Sequence, residues 1–158
     1  MTQPYHNDQQ ARQEIAATLA KLLADTYTLY LKTQGCHWNV TGPRFYDLHK
    51  LFEAQYSELA GANDEIAERI RALGLHAPAS YGEFKRLASI EELSGTPGAT
   101  EMLRQLLADN RTAGRSARAV VEVAEAHDDV GSADLATQRI RAHEKAAWML
   151  DSLLQSAG

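Results

Sequence analysis

The chain has 158 residues, of which 44% are hydrophobic, with one cysteine and a net charge of −5. That size suits one domain with a sizeable core and excludes a low-complexity or fibrous chain. The acidic balance argues against simple electrostatic binding to nucleic acid, whose affinity comes mainly from Lys and Arg at phosphates, and the lone Cys36 excludes an intrachain disulfide and fits a reducing compartment.

Residues 1–10 are polar, contain Pro4 and show no period, so they read as a mobile tail without the apolar segment of a signal peptide. From about Ala11 a helical stripe begins with Ile15, Leu19, Leu22, Thr26, Tyr30, Thr33 and His37, whose steps of three and four define one face. Asn39 to Pro43 breaks it, with Gly42 and Pro43 as turn punctuation. A second helix is predicted over about 44–73, with a stripe of Leu48, Leu51, Phe52, Leu59, Ile66 and Ile70 and with Gly74 as its C-terminal cap. Residues 75–98 are rich in Gly and Pro and leave room for one short helix, Tyr81 to Leu87. A third long helix is expected over about 99–127. A turn from His127 to Ser132 follows, and Ser132 is read as the N-cap of a last helix over about 133–155. No strand alternation, repeat or domain linker interrupts this order, and no run reaches the roughly 18 apolar residues of a membrane span. Four long helices with one long connection between the second and third describe an all-α four-helix bundle with a crossover, formed by residues 11–158. A soluble, cytoplasmic protein is expected.

Four residues of the second helix stand out. His49, Glu53, Asp64 and Glu68 are placed symmetrically about a point between residues 58 and 59. At about 100° per residue all four fall within about 100° of arc, yet His49 and Glu68 lie about 28 Å apart along the axis. One chain cannot close them around a metal ion. Two antiparallel copies crossing on a two-fold axis near residue 58 would bring His49 to the partner's Glu68 and Glu53 to the partner's Asp64, giving two identical shared clusters. His37, on the buried stripe just before the turn, is in reach of His49. The candidate metal ligands are therefore His37, His49 and Glu53 of one subunit with Asp64 and Glu68 of its partner. Imidazole and carboxylate suit Fe, Mn or Zn, and the absence of thiolate argues against an iron–sulfur site. Taken singly, each of these residues reads first as solvated helix surface, and His49 with Glu53 as an ordinary i,i+4 pair. It is the shared register, the common face and the convergent His37 that favour a metal site.

Three segments then carry a family resemblance: Cys36-His-Trp-Asn-Val-Thr-Gly-Pro43, Phe45-Tyr-Asp-Leu-His49 with Leu51-Phe-Glu53, and Asp64-Glu-Ile-Ala-Glu-Arg69. They resemble the Dps family, the DNA-binding proteins from starved cells or mini-ferritins, and Gln138 to Leu150 is similar to that family's last helix. The resemblance implies a ferritin-like bundle assembled as a hollow homo-dodecamer. In it Fe(II) would be oxidised at two-fold interfaces, by hydrogen peroxide in preference to oxygen, and stored as ferric mineral. The family's intersubunit ligands map onto His37, His49, Glu53, Asp64 and Glu68; the third is Asp in many members and Glu here. The resemblance further implies ferroxidase activity, with Zn or Mn as other occupants of the site. It makes Trp38 a radical trap, the competing reading being a packed aromatic at a helix end. Tyr46 and Tyr56 are weaker candidates for the same role, and on period alone they read as packing or interface residues. Acidic residues near the last turn, Asp134 foremost and Asp129 with it, would line a cation pore, against the simpler reading of turn and helix-end chemistry.

DNA binding is the family's name, but no Lys-rich tail is present here: Lys21 is the first lysine, and Gln155 to Gly158 carries no charged side chain. Weak or absent DNA binding is expected. A nucleoid-compacting protein in which iron oxidation is secondary is the alternative. A metal-free helical interaction protein is a third reading.

Overall fold

A computed structural model describes residues 8–155. These form five helices: α1 Gln9–Asn39, α2 Phe45–Ala72, α3 Tyr81–Leu87, α4 Ala99–Ala126 and α5 Val130–Leu154. Among the described residues there is no strand. The four long helices and the short α3 within the crossover match the order expected from the periodicities.

Two boundaries differ from expectation. The predicted tail over 1–10 lies partly outside the described residues, but Gln9 and Gln10 already belong to the helix. The Asp8 carboxylate accepts from Gln10 N at 2.9 Å and caps α1. The last turn is also shorter than predicted. Asp129, not Ser132, is the N-cap of α5, accepting from Ser132 N at 3.0 Å. Asp128, at φ 57°, occupies the left-handed conformation that lets Asp129 N reach Ala124 O at 2.8 Å and close α4. Aspartate tolerates that conformation better than most residues because its short side chain is locally solvated. At the end of α2 the expected glycine cap is in place: Gly74 has φ 91°, and Leu75 N donates to Ile70 O.

The helices pair as two antiparallel hairpins, α1 with α2 and α4 with α5, joined across α1 and α4. Between them the core divides. One apolar cluster gathers Ile15, Leu19, Leu22, Ile66, Ile70 and Val120. The other gathers Leu29, Leu48, Phe52, Leu103, Leu106 and Leu150. Polar residues lie at the level where the clusters meet. Asp25, fully buried, accepts from Ser89 N, Ile90 N and the Ser116 hydroxyl at 2.6, 3.0 and 2.6 Å, tying the crossover to α1 and α4. Three bonds satisfy a carboxylate whose burial would otherwise cost several kcal/mol (an order of magnitude). No helix among the described residues is long and apolar enough to cross a membrane.

Candidate metal centre

His37 lies in the last turn of α1, and His49 in the second turn of α2. The intervening segment turns at Gly42, whose φ of 110° favours glycine, and Phe45 N donates to Gly42 O. That reversal brings the two imidazoles face to face, with centroids 3.8 Å apart and planes 13° from parallel. Each ring bonds to the other's main chain. His37 Nδ1 donates to His49 O, and His49 Nδ1 donates to His37 O, both at 2.7 Å. A carbonyl oxygen only accepts, so each Nδ1 carries its hydrogen, and in the neutral ring Nε2 keeps the lone pair. His37 O is one of the carbonyls that α1 leaves without an intrahelical donor, and His49 supplies one.

The pair is held on further sides by aromatic rings. Phe45 stacks on His49 at 5.0 Å, and Tyr56 sits edge-on to His37 at 5.2 Å. Glu53 lies one turn beyond His49 and is half-buried. Asp64 and Glu68 lie in the distal half of α2 and are exposed. The structure thus brings together His37 and His49, with Glu53 one turn away, and leaves the two distal acids apart. Among the described residues no three His, Cys, Asp or Glu side chains within the chain are placed to hold a metal ion. Two of the ligands expected from sequence are held together, and among the described residues no third donor joins them.

A ferritin-like domain model matches residues 16–157. A low temperature-induced protein of Nostoc is 39% identical over 91% of this chain and 82% of its own length. The DNA protection during starvation protein of Brevibacillus brevis is 33% identical over 91% of this chain and 97% of its own. The crystal structure of the DPS protein from Vibrio cholerae O1, described as a member of a broad superfamily of ferritin-like diiron-carboxylate proteins, superposes with a TM-score of 0.90. It has 32% identity and covers 94% of this chain and 93% of its own. This chain belongs to the Dps family.

Several residues of this Dps chain take places that sequence reading did not give them. Trp38 is not packed at its helix end: its indole is 61% exposed and lines a groove with Leu31, Gly35 and Tyr81. Asp129 is 3% exposed, and its carboxylate accepts from Ser132 N, the Ser132 hydroxyl and the Arg69 guanidinium, the last at 2.8 Å. Those bonds cap α5 and turn its charge inward, toward Arg69. Asp134 is exposed and accepts from Gln138 at 3.0 Å.

Sequence reasoning also missed a buried network. His143 Nδ1 donates to Asn110 Oδ1 at 2.9 Å, and Arg139 lies on its other nitrogen at 3.3 Å. Arg139 in turn holds Glu58 with both terminal nitrogens. Burial, and then the Arg139 charge, push the His143 pKa down to about 3. The signal was present: Ala136, Arg139, His143 and Leu150 recur at helical spacing along the buried face of α5. Cys36 is fully buried, and burial raises its thiol to about 11, so it packs as a small apolar residue.

Proposed function

We propose that this Dps chain binds Fe(II) as substrate at sites shared across a two-fold axis. Each site takes His37, His49 and Glu53 from one subunit and Asp64 and Glu68 from the partner. The observation that carries the reading is the reciprocal His37–His49 lock, which leaves two imidazole Nε2 lone pairs on adjacent, parallel rings. Such orientation by bonds on the far ring nitrogen is what metal-ligating histidines require. The symmetric placement of the acids along α2 supports donation by a second copy.

Two imidazoles with up to three carboxylates stabilise Fe(III) over Fe(II), because hard anionic oxygen prefers the higher charge. Oxidation is therefore favoured, and the chain acts as a ferroxidase with hydrogen peroxide as oxidant. Ferric product passes into the cavity of a hollow dodecamer and is stored as mineral. Zn and Mn compete for the same donors. Trp38, next in chain to His37, serves as a radical sink at the interface, and exposed Asp134 contributes to a cation entry pore. The protein works in the cytoplasm. Protection of DNA, in the name of the Brevibacillus relative, comes here from removing iron and peroxide, since a charge of −5 per chain, multiplied by assembly, opposes binding to phosphate.

The test is anaerobic Fe(II) loading followed by peroxide, with iron oxidation and hydroxyl-radical release followed together. A His37→Ala/His49→Ala double variant is run in parallel. Fast oxidation without radical release, lost in the variant, is expected. Oxidation no faster than that of free iron, or unchanged in the variant, overturns the reading.

A further inference from the structure

We propose that the exposed face of α4 is a self-association surface. It pairs with the same face of another copy, antiparallel about the level of Val120, and joins one assembly of this chain to the next. The inference rests on residues outside the iron site and is independent of it.

Arg104, Arg111, Arg115, Arg118, Glu122 and Glu125 follow one another along α4 in steps of three, four and seven. At about 100° per residue they fall within about 80° of arc, and all are exposed. Charge is segregated along the stripe, with the arginines first and the glutamates at the C-terminal end. Arg104 lies 3.7 Å from Glu101, and Arg115 donates to Thr112 Oγ1. Among the described residues no ion pair uses Arg111, Arg115, Arg118, Glu122 or Glu125. The helix does not ask for this order. Carboxylates near the negative end of the dipole are disfavoured, and an arginine ahead of a glutamate at i,i+4 is the weaker arrangement.

A second copy explains it. Arg115 with Glu125, Arg118 with Glu122, and the small pair Gly114 with Ala126 all share one midpoint, residue 120. Two antiparallel α4 helices crossing there on a two-fold axis bring Arg115 to the partner's Glu125 and Arg118 to the partner's Glu122, and symmetry repeats both pairs. Gly114 then meets the partner's Ala126, which lets the backbones approach. A Cβ at Gly114 would meet only His143 Cβ, at an ordinary 3.8 Å, so packing within the chain does not require this poor helix former. Arg111 falls just past the end of the partner's α4, where the dipole favours a cation. α4 packs on α1 and α5 and lies across the bundle from α2, so the contact leaves the α2 face free for the pairing proposed above. Phosphate is the competing occupant of the arginines, but Glu122 and Glu125 on the same stripe repel a polyanion laid along it.

The net charge of −5 per chain opposes association at long range. At about 0.1 M salt the screening length is about 10 Å, which damps that repulsion but spares ion pairs in contact; at about 1 M it is about 3 Å, and the pairs weaken. Sedimentation velocity of the assembled protein at these two salts is the test. At the lower salt the parent is expected to show species at least double the mass of the assembly seen at the higher salt. Arg115→Glu/Arg118→Glu makes the pairing segment wholly acidic, and Glu122→Arg/Glu125→Arg makes it wholly basic. Each variant alone is expected to stay at single-assembly mass. The second variant brings the net charge closer to zero, so an effect of net charge alone would strengthen its association instead. An equimolar mixture of the two is expected to regain the heavier species, because acidic stripes then meet basic ones.

A parent whose mass is the same at both salts, a variant that associates as the parent does, or a mixture that stays at single-assembly mass overturns the proposal. Retention of duplex DNA by the parent that is lost in the arginine variant, with self-association unchanged, assigns the ridge to phosphate and also overturns it. Iron oxidation on the same samples checks that both variants fold and is expected to match the parent. Its absence in the parent overturns the functional reading and leaves the α4 contact standing.

Discussion

His37 and His49 donate from Nδ1 to each other's backbone carbonyl, both at 2.7 Å, so each ring fixes the other's tautomer. The relationship is mutual and spans two helices. Losing either ring frees the other and also strips a donor from a carbonyl.

His49→Ala is therefore expected to do more than delete one ligand. His37 loses its stacking partner, and the His37 carbonyl loses its donor. Removing the support of a single ligand costs 10–100-fold in metal affinity, so this variant should exceed about 100-fold. Anaerobic titration with Co(II), followed by its visible absorption, measures it. A loss below tenfold would mean that the pair is structural.

Asp129 caps α5 and neutralises Arg69. Asp129→Asn keeps a side-chain oxygen for Ser132 N but gives up the charge, at an expected cost of about 1 kcal/mol. Asp129→Ala gives up the cap and leaves Arg69 without that carboxylate, at about 2–4 kcal/mol. Denaturant unfolding of both variants should rank them in that order. Equal stabilities would mean that the cap contributes nothing.

His143 sets an acid limit on stability. Its native pKa of about 3 lies below the ordinary value of 6.5, so the unfolded chain binds the proton more readily. The contribution is fully present above about pH 6.5 and is lost as pH falls toward 3, on the order of a few kcal/mol. Thermal melts between pH 7.5 and 4.5 should fall more steeply for the parent than for His143→Gln. Parallel pH profiles would show that the site does not couple to folding.

Cys36 is expected to resist modification in the native protein. Its thiol is fully buried and titrates near 11, so little thiolate exists at pH 8. A chromogenic disulfide reagent should react with less than about a tenth of the thiol before denaturation and with all of it afterwards.

The bundle was legible because its stripes are long: Ile15 to His37 and Leu48 to Ile70 keep one period over many turns, and the buried faces follow them. Of the candidate site, the approach of His37 to His49 was legible because both flank one short turn, whereas the symmetry of the quartet is a property of numbering alone. The α4–α5 turn was misread by three residues. Both Asp129 and Ser132 suit an N-cap, and a left-handed Asp128 gives no glycine to mark the helix end. The Asn110–His143–Arg139–Glu58 network was invisible as a unit because its members lie up to 85 positions apart, on three helices.

The division of the core has a consequence for how damage spreads. His37 and His49 sit among Cys36, Val40, Leu48 and Phe52 of one apolar cluster, while Asp64 and Glu68 flank Ile66 and Ile70 of the other. On the proposed pairing each site draws its histidines from one half of a subunit and its distal acids from the opposite half of the neighbour. A defect that softens either half of the bundle then reaches both sites of the pair equally. Neither site can be insulated from a flaw elsewhere, and the two should fail together, as one unit, in heat or acid.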